Sequence, residues 1–265
     1  MQDYTTTIIL TIFNKEKILD NVLTSIFENT SCLVKEYIFI LDGCIDNSSE
    51  ILINKINKIP HNATHKILTA NDVFEIRANN IGLREVTTPY AIIIQDDMVI
   101  KENDWNERLL IPIQKFNDIW AVTARTSCSL NTNGTWYNIN EGPVGHKYSD
   151  VTNYPRNTVY VGQVVNRGPL LIKMDVIKSV NFFDESLPGC IGCDDVDACL
   201  KIYIKFGLRC CSFYTKYVSP LEWGSTRTGP NASFCALQER LNINEVVNRY
   251  KNLLDTWNYN EIRYV

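Results

Sequence analysis

The sequence predicts an α/β fold in which a mixed, mainly parallel central sheet is flanked by helices. Three observations predict it. Short apolar runs rich in β-branched residues, such as Thr7–Ile12 and Ile92–Ile94, read as strands buried on both faces, as in a sheet covered by helices on each side. These runs alternate with segments whose apolar residues recur at helical spacing, and the layer rules turn that alternation, sustained through roughly the first 120 residues, into a Rossmann-like order. At 265 residues the chain can bury a full-sized core in a single domain, and no second domain is required.

Each element follows from a local pattern. Thr7–Ile12 is the first strand and gives way to Phe13, Asn14, Lys15 and Glu16. Ile18, Leu19, Val22, Leu23, Ile26 and Phe27 then place one apolar helix face against the sheet. Tyr37–Leu41 is the second strand, and residues 42–49 combine turn and helix-capping chemistry ahead of a helix begun by Ile51, Leu52, Lys55 and Ile56. A short third strand is expected at Lys66–Leu68 and a helix over Arg77–Val86, which Thr87-Thr88-Pro89 stops.

The stretch Ala91–Met98 organises the rest: three isoleucines run into Gln95, Asp96 and Asp97. Two carboxylates do not belong in an apolar core. In an open α/β sheet the carboxyl ends of strands are where ligands bind. Adjacent residues on a regular strand face opposite ways, so both acids serve one site only if the strand stops there and turns. Trp105, Leu109, Ile113 and Phe116 then mark a helix and Ile119–Ala124 a strand, while residues 129–157, rich in Asn, Gly, Tyr and Thr, read as one long binding loop. Strands resume at Val159–Val165 and Pro169–Lys173. A second acidic cluster, Asp194, Asp195 and Asp197, opens a helix marked by Val196, Leu200, Tyr203 and Ile204, and residues 231–265 read as a helical extension with a polar tip.

Composition narrows the partners. A net charge of −4 gives no reason to expect nucleic acid or an anionic membrane. An anionic ligand would need help from a metal. The N-terminus lacks a basic patch followed by an apolar core, and no apolar run approaches the ~20 residues of a membrane span, so a cytoplasmic protein without a transmembrane segment is expected. Nine cysteines, an odd number without a repeating framework, fit reduced thiols. Cys190 and Cys193 with Cys210 and Cys211 do not make a convincing zinc site, because adjacent cysteines on a strand point apart. The Asn-X-Ser/Thr triplets beginning at Asn29, Asn47, Asn62, Asn133 and Asn231 are read as chance in an asparagine-rich chain.

Acidic or aromatic clusters thus fall at four strand ends, and five motifs stand in a telling order. They are Thr11-Ile12-Phe13-Asn14-Lys15-Glu16, Leu41-Asp42-Gly43-Cys44-Ile45-Asp46-Asn47-Ser48, Ala78-Asn79-Asn80-Ile81-Gly82-Leu83, Gln95-Asp96-Asp97 and Asp194-Asp195-Val196-Asp197. In order and context, over residues 5–225, they resemble glycosyltransferase family 2, inverting nucleotide-sugar enzymes of the GT-A fold.

The resemblance implies a UDP-type donor, a Mn²⁺ or Mg²⁺ ion and a glycan, lipid-linked or protein-linked acceptor. It implies that residues 1–125 bind the nucleotide sugar and that 126–230 supply the acceptor and catalytic half. Phe13 would stack on the pyrimidine while Thr11 and Asp42 bond its edge, and Glu16 would reach ribose. Asp97 would bind the ion directly, with Asp96 on ribose or the transferred sugar and Arg77 against the phosphates. Asp195 would be the general base, with Asp194 in reserve. Each also has a purely structural alternative: core packing for Phe13, turn formation for Asp42, helix-terminal charge for Glu16, Asp194 and Asp195, and a surface position for Arg77.

The chain departs from the family in two places. Asn79 replaces the usual arginine, and Pro220–Thr226 contains no histidine to serve as a further metal ligand, a place where Glu222 could substitute as an oxygen ligand. His146 lies in the long loop, where Trp136, Tyr137, Tyr148 and Tyr154 could form an acceptor platform. Two rival functions stand beside transfer. A sugar-phosphate nucleotidyltransferase would want a Gly- and Lys/Arg-rich phosphate loop after the first strand, and a non-catalytic nucleotide- or sugar-binding protein would keep Phe13 and Asp42 but need no base.

Overall fold

The protein is represented by a computed structural model that describes residues 3–60, 62–125, 127–134, 136–138, 155–165, 167–219, 223–224, 229–256 and 261–265. In the first half, β1 (Thr6–Ile12), α1 (Leu19–Asn29), β2 (Val34–Asp42), α2 (Ser48–Lys55), β3 (Thr64–Ala70), α3 (Phe74–Glu85) and β4 (Tyr90–Gln95) alternate as expected. Then come β5 (Val99–Ile100), α4 (Trp105–Lys115), β6 (Ile119–Thr123), β7 (Ser127–Leu130), β8 (Trp136–Asn138), β9 (Thr158–Gly162), β10 (Val164–Val165) and β11 (Leu170–Lys173). The chain continues through α5 (Met174–Ser179), α6 (Asp194–Phe206), β12 (Arg209–Ser212), β13 (Tyr217–Val218), α7 (Ala232–Thr256, kinked at Tyr250) and β14 (Glu261–Tyr264).

Nine strands form the central sheet in the order β14-β9-β12-β6-β11-β4-β1-β2-β3. β3, β2, β1 and β4 are parallel; β11 runs against both β4 and β6; β12 is parallel to β6, and β9 runs against β12 and β14. Only β9 and β11 therefore oppose the common direction, and the sheet is mixed and mostly parallel.

Side-chain alternation explains the two cores. Ile8, Leu10 and Ile12 of β1 pack on one face with α1 and α4, through Leu19, Val22, Trp105 and Leu109. Ile9 points to the other face, where Ile40, Ile93, Leu83, Leu200 and Val246 bring α3, α6 and α7 onto the sheet. A strand buried on both faces has no polar side to alternate, which is why β1 and β4 read as unbroken apolar runs.

Four differences from the sequence reading have physical causes. β3 extends over seven residues because it pairs with β2 from Thr64 to Ala70, and that pairing is invisible in its own half-polar sequence. Val159–Val165 is not one strand: β9 joins the central sheet, whereas β10 pairs with β7 in a separate three-stranded sheet. That sheet also holds β8, so part of the expected loop over 129–157 is strand, and residues 139–154 lie outside the described structure. Finally, the chain does not stay helical after residue 231. β14 returns to the sheet beside β9, tied down by Arg263, whose guanidinium donates to both Asp118 oxygens at 2.6 and 2.8 Å.

α7 is docked by one buried amide. The Asn242 side chain accepts from Gly189 N at 2.6 Å and donates to the carbonyls of Gly189, Ile191 and Gly192 at 3.0, 3.0 and 2.8 Å. Gly189 is required here, since a Cβ would stand 2.1 Å from the Gln238 carbonyl oxygen. The contact fixes the loop that leads into α6. Among the described residues no helix is long and apolar enough to cross a membrane. Replacing Asn242 with alanine strands a buried N–H and three carbonyls, and the expected result in a urea titration is a loss of about 2–4 kcal/mol of stability.

Candidate active site

The carboxyl ends of β1, β2 and β4 open into a cleft of about 800 Å³. Thr11, Phe13, Lys15, Asp42, Asp96 and Asp97 line it from the strand ends, Phe74, Glu75 and Asn79 from α3, Arg125 and Arg167 from beyond β6 and before β11, and Cys235 and Glu239 from α7. Of the expected residues, Thr11, Phe13, Asp42, Asp96 and Asp97 are therefore brought together.

β4 stops at Gln95 and the chain turns, with Met98 N donating to the Gln95 carbonyl at 3.3 Å, which is what lets both following acids serve one site. The Asp96 carboxylate accepts from Phe13 N at 2.9 Å and lies 3.6 Å from Lys15 Nζ. Burial pushes its pKa up to about 7, against the pull of the Lys15 ammonium. Asp97 is only 5% exposed, and its Oδ1 has no hydrogen-bond partner. Burial raises its pKa too, while Lys15 and Arg125 oppose the rise. An orphaned carboxylate oxygen in a buried position is chemistry suited to a hard cation. Among the described residues no group of three or more His, Cys, Asp or Glu is arranged to hold an ion, and Asp97 is the candidate anchor.

Asp42 has a structural role whatever else it does. Its two oxygens accept from Val73 N and Phe74 N at 2.8 and 3.0 Å, and so hold the start of α3 against the end of β2. Phe74 has φ 65°, a left-handed conformation costly for a bulky side chain, and its ring meets Phe234 of α7 with centroids 5.6 Å apart. A carboxylate has about four lone-pair sites, so Asp42 retains acceptor capacity beside these bonds. Thr11 Oγ1 donates to Asn79 Oδ1 at 3.2 Å, so the residue that replaces the family's arginine supports the β1 strand end.

Four expected residues do not line the cleft, and two of them, Glu16 and Arg77, are exposed. Glu16 is exposed and accepts from the backbone and side-chain nitrogens of Asn47 at 3.2 and 3.0 Å, tying together the turns after β1 and β2. Arg77 is exposed on α3 and does not line the cleft. The guanidiniums that do are Arg125 and Arg167. Glu222, His146, Tyr148 and Tyr154 fall outside the described residues, as do the side chains of Trp136 and Tyr137.

Asp194 and Asp195 sit one layer behind the cleft wall, in the first turn of α6. Arg167 stands in front of them, 5% exposed. Its guanidinium pairs with Asp194 and lies 2.6 Å from Glu75, and its backbone N donates to Asp195 Oδ2 at 2.9 Å. Burial raises the pKa of both aspartates, and the Arg167 charge opposes it. Lys15, Glu75, Arg125 and Arg167 escaped the sequence reading. The break Asn166-Arg167-Gly168-Pro169 between two buried strands was a usable signal, since it sets an arginine at a strand end. Glu75, in the first turn of α3, offered only the ordinary acid of a helix N-terminus.

A family model described as Glycosyl transferase family 2 matches residues 7–167, more than half of the chain. No curated protein matches it in sequence. Among solved structures, GalNAc-T7 with UDP, GalNAc and Mn²⁺ superposes with a TM-score of 0.64 at 13% identity, over 82% of this chain and 44% of that one. The mannosyltransferase PcManGT from Pyrobaculum calidifontis, in complex with GDP-Man and Mn²⁺, gives 0.63 at 15% identity over 94% and 68%. S. aureus TarS 1-349 in complex with UDP gives 0.57 at 14% over 94% and 72%. At such identities the likeness is one of fold, the GT-A fold, and this chain spans less than half the length of the GalNAc-T7 chain.

Replacing Arg167 with methionine leaves Glu75, Asp194 and Asp195 without their shared cation, at an expected cost of about 3–5 kcal/mol. Burial already raises the folded-state pKa of both aspartates above its unfolded value, so their contribution weakens as pH rises. Losing the guanidinium raises those values further. Urea titrations should therefore show a larger deficit for Arg167→Met at pH 8 than at pH 5.

Proposed function

The chain belongs to glycosyl transferase family 2, and on that premise we propose that it moves a sugar from a UDP-type donor to an acceptor hydroxyl, with inversion and with a divalent cation. The observation that carries this reading is one cleft lined together by a pyrimidine-sized aromatic and an acceptor carboxylate, Phe13 and Asp42, and by the acids Asp96 and Asp97. A uracil ring needs a flat apolar partner and an acceptor for its ring N–H, which Phe13 and the remaining lone pairs of Asp42 supply, with Thr11 alongside.

Asp97, through its unpartnered Oδ1, would hold Mn²⁺ or Mg²⁺. Such a cation supplies charge neutralisation for the departing nucleoside diphosphate. Asp96 faces the ribose or the transferred sugar. Arg125 and Arg167 take the phosphate-facing role first expected of Arg77, because guanidiniums in the cleft can reach a diphosphate and an exposed one on α3 cannot.

The acceptor proton goes to the acidic group around Arg167. Within it Asp195 is assigned as the base, and Asp194 holds the guanidinium. Residues 126–230 thus contribute the acceptor and catalytic half, and 1–125 the donor half. Two features count against the rivals: the turn Phe13-Asn14-Lys15-Glu16 is no glycine-rich phosphate loop, and a pure binding protein has no use for two buried aspartates and a half-buried glutamate around one arginine.

Turnover of UDP-sugars with Mn²⁺, by hydrolysis or onto an acceptor panel, tests the reading. Asp195→Asn is expected to lower kcat about 10²–10⁴-fold with UDP affinity intact. An equal loss in Glu75→Gln and none in Asp195→Asn would move the base to Glu75. UDP binding without turnover on any acceptor would favour a binding module, and pyrophosphate release from a nucleoside triphosphate and a sugar phosphate would favour a nucleotidyltransferase. Phe13→Ala should weaken UDP binding by about 1–3 kcal/mol, the worth of one base stacked on one aromatic, as read by calorimetry.

A further inference from the structure

The cleft contains an ammonium group to which the motifs assign no role. Lys15 follows β1 directly and is 7% exposed, with its backbone N donating to Ser48 Oγ at 2.8 Å. Its Nζ donates to the Trp223 carbonyl at 2.6 Å and lies 3.6 Å from Asp96 Oδ1. A lysine ammonium carries three N–H donors; one carbonyl and one carboxylate account for two of them. Among the described residues nothing else takes the third, and Lys15 forms part of the cleft lining.

Charge makes the same point. Asp96 and Asp97 together bring two negative charges to the end of the cleft where a diphosphate would lie, and two carboxylates alone would repel it. Lys15 is the cation set beside them, its Nζ 3.6 Å from Asp96 Oδ1 and its side chain part of the same cleft lining. Burying a lysine costs desolvation that its one ion pair, at 3.6 Å, compensates only in part. Trp223, which holds the ammonium in place through its backbone, belongs to the segment where Pro220–Thr226 supplies no histidine.

We propose that Lys15 is a built-in cation of the donor subsite, a binding residue whose third N–H meets a diphosphate oxygen. The nucleotide is then held by the chain itself as well as through the divalent ion, and diphosphate affinity survives removal of that ion. This rests on the donor reading given above.

The test is calorimetric titration of the full chain with UDP and with uridine, each in Mn²⁺ and in EDTA, for wild type, Lys15→Gln and Lys15→Arg. Glutamine keeps a donor for the Trp223 carbonyl while removing the charge, and thermal unfolding checks that each variant is folded. The expected result is that wild type binds UDP in EDTA, Lys15→Gln weakens this at least tenfold, Lys15→Arg recovers most of it, and uridine binding is the same in all three. Wild-type UDP binding that vanishes in EDTA, or an unchanged affinity in Lys15→Gln, would overturn the proposal. So would equal losses for UDP and uridine, which would make Lys15 a structural anchor for Trp223. If wild type binds no UDP even with Mn²⁺, the donor reading itself fails, and Lys15 with it. Should Lys15→Gln fail to fold, UDP affinity of wild type in EDTA against that of Lys15→Arg still decides, because a charge-dependent site keeps its affinity and its preference for UDP over uridine.

Discussion

One buried guanidinium holds the candidate site in a folded state. Arg167 is enclosed with Asp194 and Glu75, and its backbone amide reaches Asp195, so elements from the middle, the start and the end of the chain are neutralised around a single charge. Three carboxylates that close could not stay ionised in an apolar surrounding without it; they would protonate or force the structure open. The price of that arrangement is strict dependence: the acids of α6 are usable only because an arginine between two strands is aimed at them.

The same logic of tethering runs through the rest of the cleft. Asp42 holds the start of α3, Asp96 holds the turn after β1, and Asn242 holds the loop before α6. Each is a polar side chain at the end of an apolar element, and each converts the position of a strand or helix into the position of a loop. A cleft built this way is preorganised, because its wall is fixed by the sheet rather than by the ligand. α7 adds a wall that lies beyond the residues matched by the family, and Glu239 and Cys235 reach the cleft from it.

Much of this was legible in the sequence. The apolar runs of β1 and β4, the helical repeat of Leu19 to Phe27 and the acids at strand ends all leave local patterns, and those patterns sufficed for the fold class and for five residues of the cleft. What stayed hidden depends on pairing across the chain. β7, β8 and β14 are strands of only three or four residues, too short for a period to stand out, and their partners make them strands. Lys15 and Arg167 look like ordinary surface charges until tertiary contact buries them, and Glu75 does until Arg167 pairs with it. Arg77 is the reverse case: its motif neighbourhood suggested a phosphate ligand, but the helical period turns it to solvent.

The placement of β14 has a practical side. By pairing with β9 from Glu261 to Tyr264 it covers what would otherwise be a bare row of amide and carbonyl groups at one margin of the sheet, and it brings Glu261 and Arg263 to that margin. Exposed strand margins invite edge-to-edge self-association, and charged residues discourage it. A chain cut before Glu261 would keep every residue of the cleft yet bare the β9 margin and be prone to precipitate.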